Sequence, residues 1–471
     1  MEVLGIFLAL GLLIFMAYRG YPVILFAPVF ALLAAVMSGL PLLPTYTEVF
    51  MPTMVNYIKL YFPIFLLGAV FGKMMEASGA ARSIAKGLID TFGQNQAILA
   101  VVLTCAILTY GGVSLFVVAF AVYPFAAALF RESDIPKRLI PATIALGAFT
   151  FTMVALPGSP QIQNIIPTAY FGTTSFAAPV IGTIGGIIIF AVGLWWLNRR
   201  RKQMIAKGEG YGPHTRNEPK VVEDEKLPAF WLSLVPLGLV LAGNALFTYV
   251  VLPDWYPQSL LEQYDGLNLD QVLGIWSLIL ALVLGILFTV YLRWLYCRHN
   301  PDSNEDSNRS DLNLPAILAT GTAGALLAIM NTASEVGFGN VIATMPGFET
   351  VAAFLLGMNV NPLLSEALSI NILAGITGSA SGGMSIALDT MGAQYLSWAT
   401  NVGINPELLH RIASMSAGGM DTLPHNGAVI TLLAICGLTH RESYLDILMI
   451  TIISTLTVPL MIGLAWVTGW V

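Results

Sequence analysis

Apolar residues run along this chain in stretches of about 17 to 27, the length needed to cross roughly 30 Å of hydrocarbon as a helix. Short polar segments separate them. Within the runs, for example 101–108 and 187–197, polar residues do not alternate with apolar ones as a membrane barrel would require. The pattern predicts membrane-spanning helices at 3–18, 21–38, 60–77, 139–166, 174–197, 229–251, 270–296, 314–333, 407–436 and 444–470. Two further stretches, 95–130 and 362–400, are too short for two full crossings and too long for one. Small residues interrupt each near its middle, Tyr110-Gly111-Gly112 in one and Ser379-Ala380-Ser381-Gly382-Gly383 in the other, which predicts two re-entrant hairpins with those glycines at the tips.

Composition agrees. The chain has 471 residues, 56% hydrophobic and only 10% charged, where soluble domains carry about 25% charge. The net charge of −6 belongs to loops, and nothing points to nucleic acid. The first apolar run, from Val3 to Ala17, lacks a basic leader and a small-residue cleavage site, so it is expected to stay as a helix. Cys105, Cys297 and Cys436 form no paired motif and are expected to act as small hydrophobes. With no H-E-x-x-H, phosphate loop or serine elbow, no enzyme chemistry is indicated, and neither metal nor cofactor is expected.

Basic residues fix an orientation, because they concentrate in cytoplasmic loops. With both termini outside, Arg19, Lys73, Arg82, Lys86, Arg131, Lys137, Arg138, the run Arg199 to Lys202, Arg293, Arg298, Arg309 and Arg441 fall on the cytoplasmic side. Lys59 and Arg411 are exceptions. No Lys or Arg occurs from Asp311 to Leu409, so the second hairpin is expected to face outward and the first, flanked by basic residues, inward. The Gly- and Glu-bearing segment 198–228 reads as a flexible cytoplasmic linker that only connects two halves, and the loop from Arg298 to Asp311 reads the same way.

The halves resemble each other. Gly111-Gly112-Val113-Ser114-Leu115 matches Gly382-Gly383-Met384-Ser385-Ile386. Ile135-Pro136 precedes a span that breaks at Leu156-Pro157-Gly158, as Asn405-Pro406 precedes one that breaks at Leu423-Pro424-His425, and Glu76-Ala77-Ser78-Gly79 parallels Glu335-Val336-Gly337. Halves 1–197 and 229–471 each hold five spans and a hairpin, and an odd number of spans puts them in opposite orientation. The expected fold is an all-α polytopic membrane protein of about ten transmembrane helices and two hairpins in two inverted repeats.

Helices broken inside hydrocarbon leave backbone groups unpaired, which persists only where something polar is lined or bound. The helix N-termini at such breaks suit an anion and the free carbonyls a cation. Candidate substrate-binding residues are therefore Gly111, Gly112, Ser114, Ser159, Gln161, Asn164, Gly383, Ser385, Thr422 and Asn426, with Asp421, His425 and Asp389 as candidate coupling groups. The alternative roles are close helix packing for the Gly-Gly pairs, a silent kink for the Leu156 to Pro160 cluster, mutual neutralisation for Asp421 and His425, and an aqueous mouth for Asp389. Glu76 and Glu335 sit at span ends, expected to be solvated or paired unless they gate or couple, and His410, His440, His214 and His299 are expected at interfaces or in loops.

The stretches Thr109 to Phe116, Ile135 to Pro141, Ala155 to Asn164, Ala333 to Gly339 and Gly418 to Asn426 resemble the gluconate:proton symporter family of bacterial permeases. The resemblance implies the wider ion-transporter superfamily, with a homodimeric scaffold in the bacterial inner membrane, a moving unit that holds both hairpins, and elevator-type alternating access. It implies a small organic anion as substrate, gluconate or a short hydroxy acid such as 3-hydroxybutyrate, and a proton as coupling ion. Sodium-coupled relatives carry Ser-Asn-Thr at the hairpin tip where Tyr110-Gly111-Gly112 stands here. Sodium coupling and a passive anion channel are the alternatives.

Overall fold

A backbone in hydrocarbon has no water to bond to, so each segment must satisfy its own N–H and C=O groups, and a helix does this within one segment. The computed structural model describes residues 2–19, 21–92, 96–113, 115–214, 216–218, 227–256, 261, 263, 269–299, 314–348, 361–377, 379–420, 422–424 and 426–471. Among these the protein is all-helical, without strands, and six helices are long and apolar enough to cross a membrane.

The first series is α1 (Glu2–Tyr18), α2 (Val23–Met37), α3 (Leu42–Ala77), α4 (Ala80–Phe92), α5 (Ala97–Tyr110), α6 (Leu115–Glu132), α7 (Ile140–Ala148), α8 (Phe151–Val154), α9 (Ile162–Phe171) and α10 (Pro179–Ala206). The second is α11 (Phe230–Trp255), α12 (Leu269–His299), α13 (Leu314–Ala343), α14 (Pro362–Thr377), α15 (Ala380–Asn401), α16 (Pro406–Ala417), α17 (Gly427–Cys436) and α18 (His440–Thr468). Contacts cross between the series in matching pairs. Helix α2 packs on α13 and α12 on α3; α15 packs on α9 and α6 on α17; α3 meets α13, and α10 meets α18. One contiguous apolar core runs through both series. Exposed Trp195, Trp231, Trp255, Trp294 and Trp466 lie outside it on the surface that lipid covers.

Several elements differ from the sequence reading. The span expected at 60–77 begins at Leu42, where a π-helical turn, Thr45–Phe50, opens a helix too polar at its start for a hydropathy window to include. Helix α10 outlasts its apolar run by including Arg199 to Lys202, which are good helix formers. Helix α4 was not anticipated. The spans at 139–166 and 407–436 are interrupted at the proline clusters, as the sequence reading expects, between α8 and α9 and between α16 and α17.

The segment expected to be a flexible linker is docked as far as Glu218. Arg138 pairs with Glu209 at 2.8 Å, Lys137 with Glu218 at 2.6 Å, and Arg131 also with Glu218. The Tyr211 amide donates to Asp134 Oδ1 at 2.9 Å, and Asn217 donates to the Ala434 carbonyl at 2.7 Å. This strap crosses the ends of α6, α7 and α17. Its charges are spent on partners that a sequence scan cannot pair. Burial opposes ionisation of Glu218, yet Lys137, Arg131 and Tyr211 together hold its carboxyl below the usual range. The loop expected from Arg298 to Asp311 lies largely outside the described residues.

Candidate functional site

The first hairpin, α5 and α6, turns where expected, with Gly112 at φ +95°, a conformation that a side chain would strain. Its tip is tied to the break before α9. The Tyr110 hydroxyl donates to the Pro157 carbonyl at 2.7 Å, and Gln161 Nε2 donates to the carbonyls of Thr109 at 2.7 Å and Val113 at 3.3 Å. Gly111, Gly112, Ser159, Gln161 and Asn164 are thus brought together. Ser114 lies outside the described residues.

Most hydrogen-bonding capacity at this break is used internally. Ser159 Oγ donates to the Thr152 carbonyl at 2.6 Å, and Asn164 Nδ2 donates to the carbonyls of Ser159 and Ser175, both at 2.8 Å. Asn164 Oδ1 accepts from Arg411 Nη1 at 2.7 Å. The same guanidinium donates to the Ala177 carbonyl through Nη2 at 2.7 Å and Nε at 3.1 Å, and reaches the carbonyls of Ser175 and Val154 at 3.3 and 3.5 Å. Arg411 is fully buried. A planar fork with five donors suits a set of stranded carbonyls, and that explains its departure from the charge rule: it faces no loop, but closes a broken helix. His410, expected at an interface, is equally buried and contacts Thr173 Oγ1 at 2.6 Å and Asn164 Oδ1 at 3.3 Å.

The second hairpin, α14 and α15, is built differently. Its second leg, α15, already begins at Ala380, before the glycine pair expected at the tip. Ser379 caps α15, its hydroxyl accepting from the Gly382 amide at 3.1 Å. Gly382 and Gly383 lie within the first turn, and the reason for the second is close approach: a Cβ on Gly383 would stand 2.2 Å from the Ala374 amide nitrogen on the facing leg. The preference of Ser for helix caps outranks the turn signal of Gly-Gly.

Here buried polar atoms lack partners. Among the described residues, Ser385 Oγ, the Tyr57 hydroxyl, Glu335 Oε2 and Asn371 Oδ1 have no hydrogen-bond partner, although Ser385 is fully buried, Tyr57 is 3% exposed and Glu335 is 6% exposed. Glu335, expected at a span end, lies inside α13 because that helix continues to Ala343. Glu76, by contrast, pairs with Lys73 at 2.8 Å as a span-end residue should. One turn beyond Ser385, Asp389 is exposed. Tyr61 packs on Tyr57 with ring centroids 4.7 Å apart. A polar lane from α3, α13 and α15 thus faces the hairpin.

At the second break, Asn426 caps α17, accepting from the amides of Ala428 at 2.6 Å and Val429 at 3.2 Å, and Thr422 bonds to Thr451. His440 contacts the Pro424 carbonyl at 2.8 Å, and His214 the Tyr211 carbonyl at 2.8 Å. Asp421 and His425 lie outside the described residues, as do the side chains of Cys297 and His299. Cys105 and Cys436 are buried free thiols. Sequence reasoning passed over Tyr57, Asn371 and Arg411 as site-forming residues; the placement of Arg411 against the charge rule was the one available signal.

Membrane-length helices around paired hairpins and interrupted helices define a multi-pass membrane transporter. Comparison with known proteins gives the family: residues 1–462 match the GntP family permease, and the chain belongs to that family. It is 49% identical over its full length to the "Uncharacterized transporter YxjC" of Bacillus subtilis (strain 168), also covered completely. It is 25% identical over 350 residues to the "High-affinity gluconate transporter" of Escherichia coli (strain K12), covering 73% of this chain and 71% of that one. The "Gnt-II system L-idonate transporter" of the same organism is 28% identical over 204 residues, 42% of this chain and 44% of that protein. The fold is similar to the crystal structure of the Alcanivorax borkumensis YdaH transporter, with a TM-score of 0.57 over 89% of this chain and 88% of that one at 16% identity. As a member of a permease family, the chain is a membrane transporter.

Proposed function

We propose that this permease is a proton-coupled symporter of a small hydroxycarboxylate, of the gluconate or 3-hydroxybutyrate class, working by elevator-type alternating access. The observation that carries the reading is the second hairpin, where a helix N-terminus with its partial positive charge is surrounded by buried polar atoms that no group among the described residues satisfies. That environment suits a carboxylate with a hydroxyl nearby. Two relatives named for gluconate and L-idonate support the substrate class, both being polyhydroxy acids.

Ser385, Gly383, Thr422 and Asn426 would form the substrate seat, and Gly111, Gly112, Ser114, Ser159, Gln161 and Asn164 its opposing wall. Asp421, His425 and Asp389 stand as coupling groups. The parallel order of the two series and their crossed packing support inverted repeats 1–197 and 229–471; the protein would work as a homodimer of the bacterial inner membrane, with both termini extracytoplasmic. A proton is the fitting partner, since a monovalent anion entering an inside-negative cell works against about 2.3 kcal/mol per 100 mV. One proton cancels that cost and leaves the pH gradient to drive accumulation.

The test is uptake of labelled gluconate and 3-hydroxybutyrate into proteoliposomes under imposed proton or sodium gradients. Accumulation on the proton gradient alone is expected, with Asp421→Asn losing driven uptake but keeping part of its counterflow. Accumulation on sodium alone would move the reading to a sodium symporter, and single-channel current without coupling to an anion channel.

A further inference from the structure

We propose that Glu335 is a proton-carrying group of the transport cycle, and that its carboxylate and the substrate carboxylate compete for one seat, the N-terminal turn of α15 at the tip of the second hairpin. The inference rests on the proton-symport reading above and adds to it a residue and a mode of coupling.

The geometry is specific. Glu335 projects from α13 onto the first turn of α15 so closely that a Cβ on Gly382 would lie 2.1 Å from Oε2 and 3.2 Å from the carboxyl carbon. Only a glycine admits the carboxyl group there. The first turn of a helix carries amide groups without intrahelical acceptors and roughly half a positive charge, and both favour an anion. Glu335 supplies that anion from the protein when ionised. Beside it, the unpartnered hydroxyls of Ser385 and Tyr57 complete a seat with more donors than Glu335 uses.

Among the described residues no cation competes for Glu335. Helix α13 packs on α2, α3 and α15. Helix α2 has no charged residue, α3 presents Tyr57 beside Glu335, and Asp389 of α15 faces Tyr61 and Tyr170 instead. Elsewhere on α3, Lys59 is exposed and Lys73 is paired with Glu76. A buried carboxylate without a cation leans on the helix end and on the Ser379 hydroxyl that caps it, so its protonation and the occupancy of that end are linked.

Coupling follows. With Glu335 ionised, the seat is held by a protein carboxylate, and a second anion would meet like charge. One proton converts the carboxylate to a neutral acid, which gives up its claim on the helix end; the substrate carboxylate then binds, and the pair crosses with no net charge. Release reverses both steps. Because only the protonated form accepts substrate, affinity falls about tenfold for each pH unit on the alkaline limb.

The experiment uses the full chain in proteoliposomes, as wild type, Glu335→Gln and Glu335→Asp, with labelled gluconate and 3-hydroxybutyrate. In Glu335→Gln, substrate affinity loses its pH dependence and pH-gradient-driven accumulation disappears, while counterflow persists. Glu335→Asp keeps the pH dependence with its midpoint displaced. Accumulation by Glu335→Gln on a pH gradient overturns the inference and leaves proton symport standing. Loss of counterflow as well, in protein that still elutes monodisperse, also overturns it, because the residue then serves passage and not the proton. Should Glu335→Gln not fold, an unmoved midpoint in Glu335→Asp overturns it. Wild type that ignores a proton gradient overturns the symport reading itself, and this inference with it.

Discussion

The two interrupted regions share a plan and differ in what they leave unsatisfied. At the break before α9, Arg411 and Asn164 take up the stranded carbonyls, and the first hairpin tip is fastened on by Tyr110 and Gln161. At the second hairpin tip, Ser385, Tyr57 and Glu335 each carry a buried polar atom without a partner. An unpaired buried polar group costs about 1 to 3 kcal/mol; the first region also leaves Thr109 Oγ1 and Gln163 Oε1 without partners among the described residues, but its break and hairpin tip are tied together, so it reads chiefly as scaffolding and the second as the main place where something is bound. Similar motifs in the two halves therefore do not imply similar duties.

Removing Arg411 breaks the comparison most severely. Arg411→Ala leaves the carbonyls of Ala177 and Ser175 and the oxygen of Asn164 without their donor, a loss of about 3–5 kcal/mol by analogy with breaking buried charged networks; a large fall in detergent melting temperature is expected. Gly383→Ala comes next. Its methyl group meets the Ala374 backbone, which cannot move as a side chain would, and overpacking of this kind costs about 1–3 kcal/mol. It should abolish uptake while leaving a folded protein on size exclusion. Asn426→Ala removes the α17 cap and about 0.5–2 kcal/mol, visible as faster amide exchange at 427–430. The smallest effect falls on the strap. Because the Glu218 carboxyl is held below its usual range, the docking it supports is complete at pH values above that range and is lost as pH falls through the lowered value. Amide exchange of 207–218 should quicken on acidification below the ordinary carboxylate range, and in Glu218→Gln already at neutral pH.

Much of this architecture is legible in the sequence because hydrocarbon makes length and apolarity nearly sufficient to place a helix. Gly111-Gly112 marks its turn, and Pro157 and Pro424 mark true interruptions. Legibility ends where polar groups choose partners across the fold. Ser379 displaced the second turn from Gly382-Gly383 because a cap hydrogen bond is local but its competition with glycine is not visible in composition. Glu335 looked like a span-end residue because Asn331 to Glu335 dilute the apolar run, although α13 continues beneath them. Arg411 and His410 read as surface groups until Asn164, 247 and 246 positions away, is seen to receive them. The strap stayed hidden for the same reason: Glu218 finds Lys137 only after folding.

Substrate protection tests the contrast between the two regions directly. In a background with Cys105, Cys297 and Cys436 replaced by Ala, single cysteines at Ser385 and Ser159 would be labelled with a maleimide in the presence and absence of 3-hydroxybutyrate or gluconate. Slower labelling at position 385 with substrate, and a smaller change at 159 on the opposing wall, is the predicted result. Protection at 159 with none at 385 would place binding at the first break and contradict the account.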